Sequence, residues 1–230
     1  MGCSVADGEE AQPQDRSCVV IVPALDEAAT IATVVRVARA AGVGPVLVVD
    51  DGSSDATAVM AERAGAEVLR LRHNRGKGGA VAAGAEARSE DVVVLLDADL
   101  VGLRPEHVRA LAGPVLRDEA DMTRGYFTSG RWRTTAAQMI APQLNGQRTL
   151  PRAALLEVPG LADSRYGIEI AITEHAKEAD WRCHDVPMPG VSQVMKEEKR
   201  GLLRGIGVRA RMYYEILHQL VRPQRNTPRR

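Results

Sequence analysis

Val92-Val93-Val94-Leu95-Leu96-Asp97-Ala98-Asp99 is an unbroken apolar run that ends on two acids spaced two apart. Apolar residues in succession leave no polar face, which suits a strand covered on both sides. Acids directly after such a strand stand where open parallel sheets bind their ligands. The pattern recurs upstream: Val46-Leu47-Val48-Val49 leads into Asp50 and Asp51, and Cys18-Val19-Val20-Ile21-Val22 leads into Pro23-Ala24-Leu25-Asp26-Glu27. Between these runs the apolar spacing turns helical over 28–41 and 55–64, with a short strand over 67–71 and a helix over 80–88. Strands alternating with helices predict an α/β fold, a mostly parallel sheet with helices on both faces.

Further along, Pro105 opens a helix to about Leu116, and 121–126 is extended. Helices are predicted over 134–140, 152–157 and 167–178, and a strand over 182–186 that stops at Pro187 and Pro189. Leu202, Ile206, Tyr213, Ile216, Leu217 and Leu220 put an apolar stripe on a late helix, weakened by Gly201, Gly205 and Gly207. Residues 1–16 are acidic and without periodicity, the composition of a disordered leader. One domain is expected over 17–221, dividing near 125, with 222–230 as a tail.

Of the 230 residues 45% are hydrophobic, enough for a full core, and 30 bases balance 30 acids. That balance gives no case for nucleic acid. From Lys196 to Arg230, however, ten bases face three acids, so the carboxyl end is a basic segment. Three cysteines without a C-x-x-C pair indicate neither a disulfide framework nor a zinc site. Their number fits a reducing, cytoplasmic setting. No apolar signal core opens the chain, and no apolar run approaches the roughly 18 residues that span a bilayer.

The acids are where chemistry is expected. Side chains alternate along a strand, so Asp97 and Asp99 should share one side and one cation. Carboxylates beside phosphate oxygens favour Mg²⁺ or Mn²⁺. The plainer interpretation of any one such pair is a solvated turn, but four acids after buried-looking strands shift the balance. Arg75-Gly76-Lys77-Gly78-Gly79 is not a phosphate loop of the Walker kind: Leu71 stands where the first glycine belongs, and Gly78 replaces the Ser/Thr. It is a glycine turn into a helix whose free N–H groups, with Lys77, can face a diphosphate or ribose.

Val20-Ile21-Val22-Pro23-Ala24-Leu25-Asp26-Glu27, Val48-Val49-Asp50-Asp51-Gly52-Ser53-Ser54-Asp55, Asn74-Arg75-Gly76-Lys77-Gly78-Gly79 and Leu95-Leu96-Asp97-Ala98-Asp99, in this order and spacing, resemble glycosyltransferase family 2 and its GT-A relatives. The likeness is clear over 19–126 and weaker through Asn145-Gly146-Gln147-Arg148 and Tyr166-Gly167-Ile168-Glu169. It implies a GT-A fold and transfer of a sugar from a nucleotide diphosphate sugar, UDP-glucose favoured, with Mg²⁺ or Mn²⁺ neutralising the leaving diphosphate. By the same resemblance 17–125 is the nucleotide-sugar half and 126–221 the acceptor half. Pro23, Ala24, Asp26 and Glu27 would line the nucleoside, and Asp50 or Asp51 would read the base edge. Lys77, Asp97 and Ala98 would face the donor, with Asp99 as the main metal ligand and Asp97 bracing the metal or the ribose. Glu169, among Ile168, Ile170 and Ile172, is the expected catalytic acid-base group. Relatives often carry a metal-binding histidine where this chain has Gln193, a poorer ligand; His184 is the nearby candidate to compensate.

For the acceptor, Arg131 and Arg133 flank Trp132, and Thr134 adds a hydroxyl, a set suited to clamping a phosphate. The stretch resembles the acceptor loop of the glucosyl-3-phosphoglycerate synthases. The chain also resembles soluble polyprenyl-phosphate sugar transferases, and its basic tail, with Arg200, Arg204, Arg209 and Arg211, suits peripheral contact with an anionic membrane. A small soluble acceptor is the favoured expectation, a homodimer is left open, and the rival from another class is a nucleotide-sugar-binding protein without turnover. A sugar-phosphate nucleotidyltransferase would carry a glycine-rich signature where Leu25-Asp26-Glu27-Ala28 stands.

Overall fold

The computed structural model describes residues 16–128, 146–164 and 167–193. The leader before residue 16, the helix expected over 134–140, Arg131, Arg133 and Thr134, Tyr166, and the late basic helix lie outside the described residues.

A seven-stranded sheet forms the middle layer. Its strands are β1 (Cys18–Ala24), β2 (Val46–Asp50), β3 (Glu67–Arg70), β4 (Val92–Leu95), β6 (Met122–Phe127), β7 (Arg148–Pro151) and β8 (Cys183–Met188), in the order β3-β2-β1-β4-β7-β6-β8. Only β7 runs antiparallel to its neighbours. A second, two-stranded sheet pairs β5 (Leu100–Val101) with β9 (Ser192–Gln193). This is the mostly parallel α/β sheet that the sequence pattern predicts.

The alternation along β1 explains the layers. Cys18, Val20 and Val22 turn toward α1 (Ile31–Ala41) and α4 (Pro105–Leu116), and Val19 and Ile21 turn toward α3 (Gly76–Glu86). Helix α2 (Thr57–Arg63) adds Ala61 to the first core, while α5 (Arg152–Leu156) and α6 (Ile168–Glu178) add Leu155, Ile168 and Ile172 to the second. At roughly 25 cal/mol per Å² of apolar surface removed from water, these two layers supply the main drive to fold.

Several boundaries differ from the pattern. Helix α3 begins at Gly76, four positions before the expected start at Ala80. Glycine ordinarily weakens a helix, but here it permits close approach: Gly78 N donates to Ser164 O at 2.9 Å, and a Cβ on Gly78 would lie 2.3 Å from Leu161 O. Helix α1 starts at Ile31 rather than Ala28, because Asp26 takes a left-handed φ of 55° and the chain turns before entering the helix. Strand β8 runs through Pro187, past the expected stop at Val186. It is the outermost strand, so the missing N–H of proline breaks no inner ladder. Strand β7 has no apolar signature, since Arg148 and Thr149 are polar yet buried.

Gly78→Ala should lower the melting temperature, because its methyl meets two backbone carbonyls that cannot rotate away. A cost of about 1–3 kcal/mol is expected, at about 2–4 °C per kcal/mol in a chain this size. A melting curve matching that of the unaltered protein would contradict the tight contact.

Candidate active site

Two loops at the carboxyl ends of β1 and β2 are laced together. Asp26 N donates to Ser53 Oγ at 3.0 Å, and Ser54 N donates back to Asp26 Oδ1 at 2.8 Å. Glu27 N donates to Thr57 Oγ1 at 2.7 Å, and Ala28 N to Asp55 Oδ2 at 3.1 Å. The Glu27 carboxylate, nearly buried, accepts from Thr30 Oγ1 at 3.2 Å. Asp50 and Asp51, both buried, have different duties. Asp50 Oδ1 accepts from Ser53 N at 2.9 Å, shaping its own turn. Asp51 accepts with both oxygens, from Arg75 N at 2.7 Å and Gly76 N at 2.9 Å, and so caps the start of α3.

That cap aims Lys77 at two carboxylates. Lys77 Nζ lies 2.6 Å from Asp97 Oδ1 and 2.5 Å from Glu169 Oε1, with side-chain exposures of 30%, 12% and 14% respectively. Burial opposes the charge on Lys77, but the charges of Asp97 and Glu169 and their hydrogen bonds outweigh it and hold its pKa above the ordinary lysine value. Asp97 Oδ2 also accepts from Gln147 Nε2 at 2.8 Å and from Gln193 Nε2 at 2.5 Å. Gly146 makes room for the cluster, since a Cβ there would lie 2.5 Å from both Asp97 Oδ1 and Lys77 Nζ. Pro23, Lys77, Asp97, Gly146, Arg148 and Glu169 line one narrow cleft, and Ala98 is buried beside Asp97.

Glu169 sits on the first turn of α6 and faces Lys77 in a cleft that Val81, Leu95, Ile168 and Ile172 also line. Below it, the fully buried Arg148 donates from Nη1 to Thr173 Oγ1 at 2.9 Å, and Thr173 Oγ1 donates to Glu169 O at 2.7 Å. Burial draws the Arg148 pKa down to about 10, still charged at neutral pH.

Strand β4 ends at Leu95, so Asp97 and Asp99 lie in the turn before β5, and alternation along a strand does not orient them. Asp97 is buried and occupied by donors; Asp99 is half-buried. Among the described residues no group of three or more His, Cys, Asp or Glu is placed to hold a metal ion. The two carboxylates after β4 suit a cation such as Mg²⁺, which is usually held by one or two carboxylates together with phosphate oxygens and water. His184 does not join them; it is exposed on β8, within the field of Glu119. The engagement of Gln147 and Gln193 with Asp97 was not foreseen from the sequence, although Gly146-Gln147-Arg148 stood out as part of a motif.

The family model described as Glycosyl transferase family 2 matches residues 19–164. Glucosyl-3-phosphoglycerate synthase of Mycobacterium tuberculosis is 30% identical over 201 residues, covering 71% of this chain and 61% of that protein. The enzyme of the same name from Mycolicibacterium smegmatis is 31% identical over 204 residues, covering 74% of this chain and 66% of the relative. The chain thus spans less than two thirds of the length of these relatives. A crystal structure of the M. tuberculosis protein in complex with Mn²⁺, UDP-glucose and phosphoglyceric acid superposes with a TM-score of 0.71 at 26% identity, covering 91% of this chain and 82% of that one.

The raised pKa of Lys77 gives a pH test. A base whose pKa is higher in the folded chain stabilises fully below its unfolded value, 10.5, and loses that contribution as pH rises through the folded value. Lys77→Met should cost on the order of 1–2 kcal/mol at neutral pH, discounted for the solvent that reaches the lysine. Above about pH 10.5 the denaturation midpoint of the unaltered chain should fall more steeply than that of the variant. Parallel pH profiles would remove the ion pairs from the stability account.

Proposed function

The chain belongs to glycosyltransferase family 2, and on that footing we propose that it moves a hexosyl group from a nucleotide diphosphate sugar, UDP-glucose, to a small phosphate-bearing acceptor of the 3-phosphoglycerate type. Lys77, held between Asp97 and Glu169 at the carboxyl end of the parallel strands, supports this most directly. It provides a fixed positive charge where a diphosphate would lie, with an acid on either side.

The laced loops around Pro23, Ala24, Asp26 and Glu27 supply a preformed seat for the nucleoside. Asp50 is the proposed reader of the base, because both oxygens of Asp51 are already committed to capping α3. An acceptor-only carboxylate matches the imide N–H of uracil. Lys77 pairs with the diphosphate as it departs. Asp99 would hold Mg²⁺ or Mn²⁺ together with the diphosphate, and Asp97 would brace from behind. The cation, when bound, neutralises charge developing on the leaving group. Glu169 accepts the hydroxyl proton at the reacting end, its carboxylate steered by Lys77 and its main chain by Thr173 and Arg148. Arg131, Arg133 and Thr134 remain the proposed phosphate clamp on the acceptor. The names and bound molecules of the relatives support donor and acceptor alike.

Transfer from UDP-glucose to 3-phosphoglycerate, assayed beside a short polyprenyl phosphate in detergent, tests the acceptor. Turnover should appear with the soluble acceptor, vanish in EDTA, and fall at least about a hundredfold in Asp99→Ala. Donor binding without turnover on either acceptor would mark a binding protein instead, and activity indifferent to EDTA and to Asp99→Ala would end the metal assignment.

Asp50→Ala should flatten discrimination between UDP and GDP in competition binding while lowering the melting temperature less than Asp51→Ala, since it gives up one turn hydrogen bond, from Ser53 N, rather than two at the start of α3. Asp51→Ala should do the reverse, costing about 1–2 kcal/mol of stability through the lost cap. An exchange of these two outcomes would move the base-reading role to Asp51.

A further inference from the structure

Asp97 is surrounded by more donors than a metal-binding carboxylate needs. Oδ1 takes the ammonium of Lys77 at 2.6 Å, and Oδ2 takes the amides of Gln147 at 2.8 Å and Gln193 at 2.5 Å. A carboxylate offers about four in-plane acceptor positions, and at least three are spent here. We propose that Gln147 and Gln193 are positioning residues: their two amides grip the Asp97 carboxylate and keep it a brace behind Asp99, so that the cation enters only with the diphosphate. This rests on the donor assignment above.

Both amides are delivered by pinned backbone. Gln147 is fully buried immediately before β7, and its carbonyl accepts from Gly125 N at 2.8 Å. Gln193 arrives on β9, in register with Leu100 of β5, just past Asp99 in the chain. The turn before β9 is seated tightly, since a Cβ on Gly102 would lie 2.1 Å from Gly190 O. The acid turn is therefore held from two directions by side chains that carry no charge. Neutral amides fix a carboxylate without adding a cation that would compete with the metal. Hydrogen bonds of this outer kind set the direction of the groups around a bound ion, and their loss typically costs about ten- to a hundredfold in affinity. An amide that only supported the fold would show no preference for one ligand over another.

Gln193→Met and Gln147→Met keep length and remove the donors. Uridine is titrated by chemical-shift changes, and UDP with MnCl₂ by calorimetry, against the full chain and each variant. Uridine affinity should stay unchanged, while affinity for UDP with Mn²⁺ should fall about tenfold or more in each. Gln193 is exposed on a two-residue edge strand, so its variant decides the matter should Gln147→Met fail to fold. Wild-type affinity for UDP with Mn²⁺ in Gln193→Met, or equal losses for uridine and UDP, would overturn the clamp. Absence of binding by the unaltered protein to uridine and UDP alike would overturn the donor assignment itself, a separate failure.

Discussion

Lys77 is the only positive charge in the cleft that stands within ion-pair distance of both Asp97 and Glu169 among the described residues, and the placement of three elements depends on it. It rises from the first turn of α3, Asp97 follows β4, and Glu169 opens α6. Without a cation between them, two poorly hydrated carboxylates at this range would repel, and the cleft would lose the ion pair that joins α6 to α3. The glycines follow from that requirement. Gly78 lets α3 press against the 161–164 turn, and Gly146 leaves space beside Lys77 and Asp97 that any side chain would fill. Asp51 completes the arrangement by fixing where α3 begins.

The charge count of the cleft shows why a divalent ion belongs to its proposed chemistry. Among the described residues Lys77 and Arg148 stand in the cleft with Asp97 and Glu169, and Asp99 is close by in sequence, so three acids meet two bases before any ligand arrives. A diphosphate adds further negative charge at the same end of the sheet. Coulomb repulsion at such distances is worth kilocalories even under partial solvent screening, and a divalent cation removes it at its source.

Much of this was legible in the sequence wherever local pattern and tertiary need agree. Val92 to Leu95 form a strand because nothing in them can face water, and α4 runs over the expected Pro105–Leu116 because proline fixes its start. The failures have a common physical origin in contacts from far along the chain. Gly76 to Gly79 have the composition of a turn, yet they are helical because Ser164 and Leu161 lie against them. Arg148 and Thr149 have the composition of a loop, yet they form a buried strand, Arg148 finding Thr173 on α6. By its position in the sequence Gln193 is only a poor metal ligand, whereas the pairing of β9 with β5 gives its amide a carboxylate to hold. Asp97 and Asp99 follow the end of their strand as the pattern predicts, but the alternation that would orient them stops at Leu95.

The direction of β7 explains how the later half of the chain reaches the acids of the earlier half. In a parallel sheet the residues that enter a strand lie at its amino end, remote from the ligand-bearing edge. Strand β7 runs the other way, with Arg148 opposite Leu95 and Pro151 opposite Val92. Its entering residues, Gly146 and Gln147, therefore arrive beside the turn that carries Asp97 and Asp99. A parallel strand in that slot would have brought its exit there, and the amide of a residue before the strand could not have reached Asp97. Strand β6, next in order, returns to the common direction and pairs with β8, whose continuation turns back through Gly190 into β9 and delivers Gln193 to the same carboxylate. One reversed strand thus puts two segments distant in sequence onto a single oxygen, and the otherwise costly burial of Gln147 and Arg148 is the consequence of having such a strand inside the sheet.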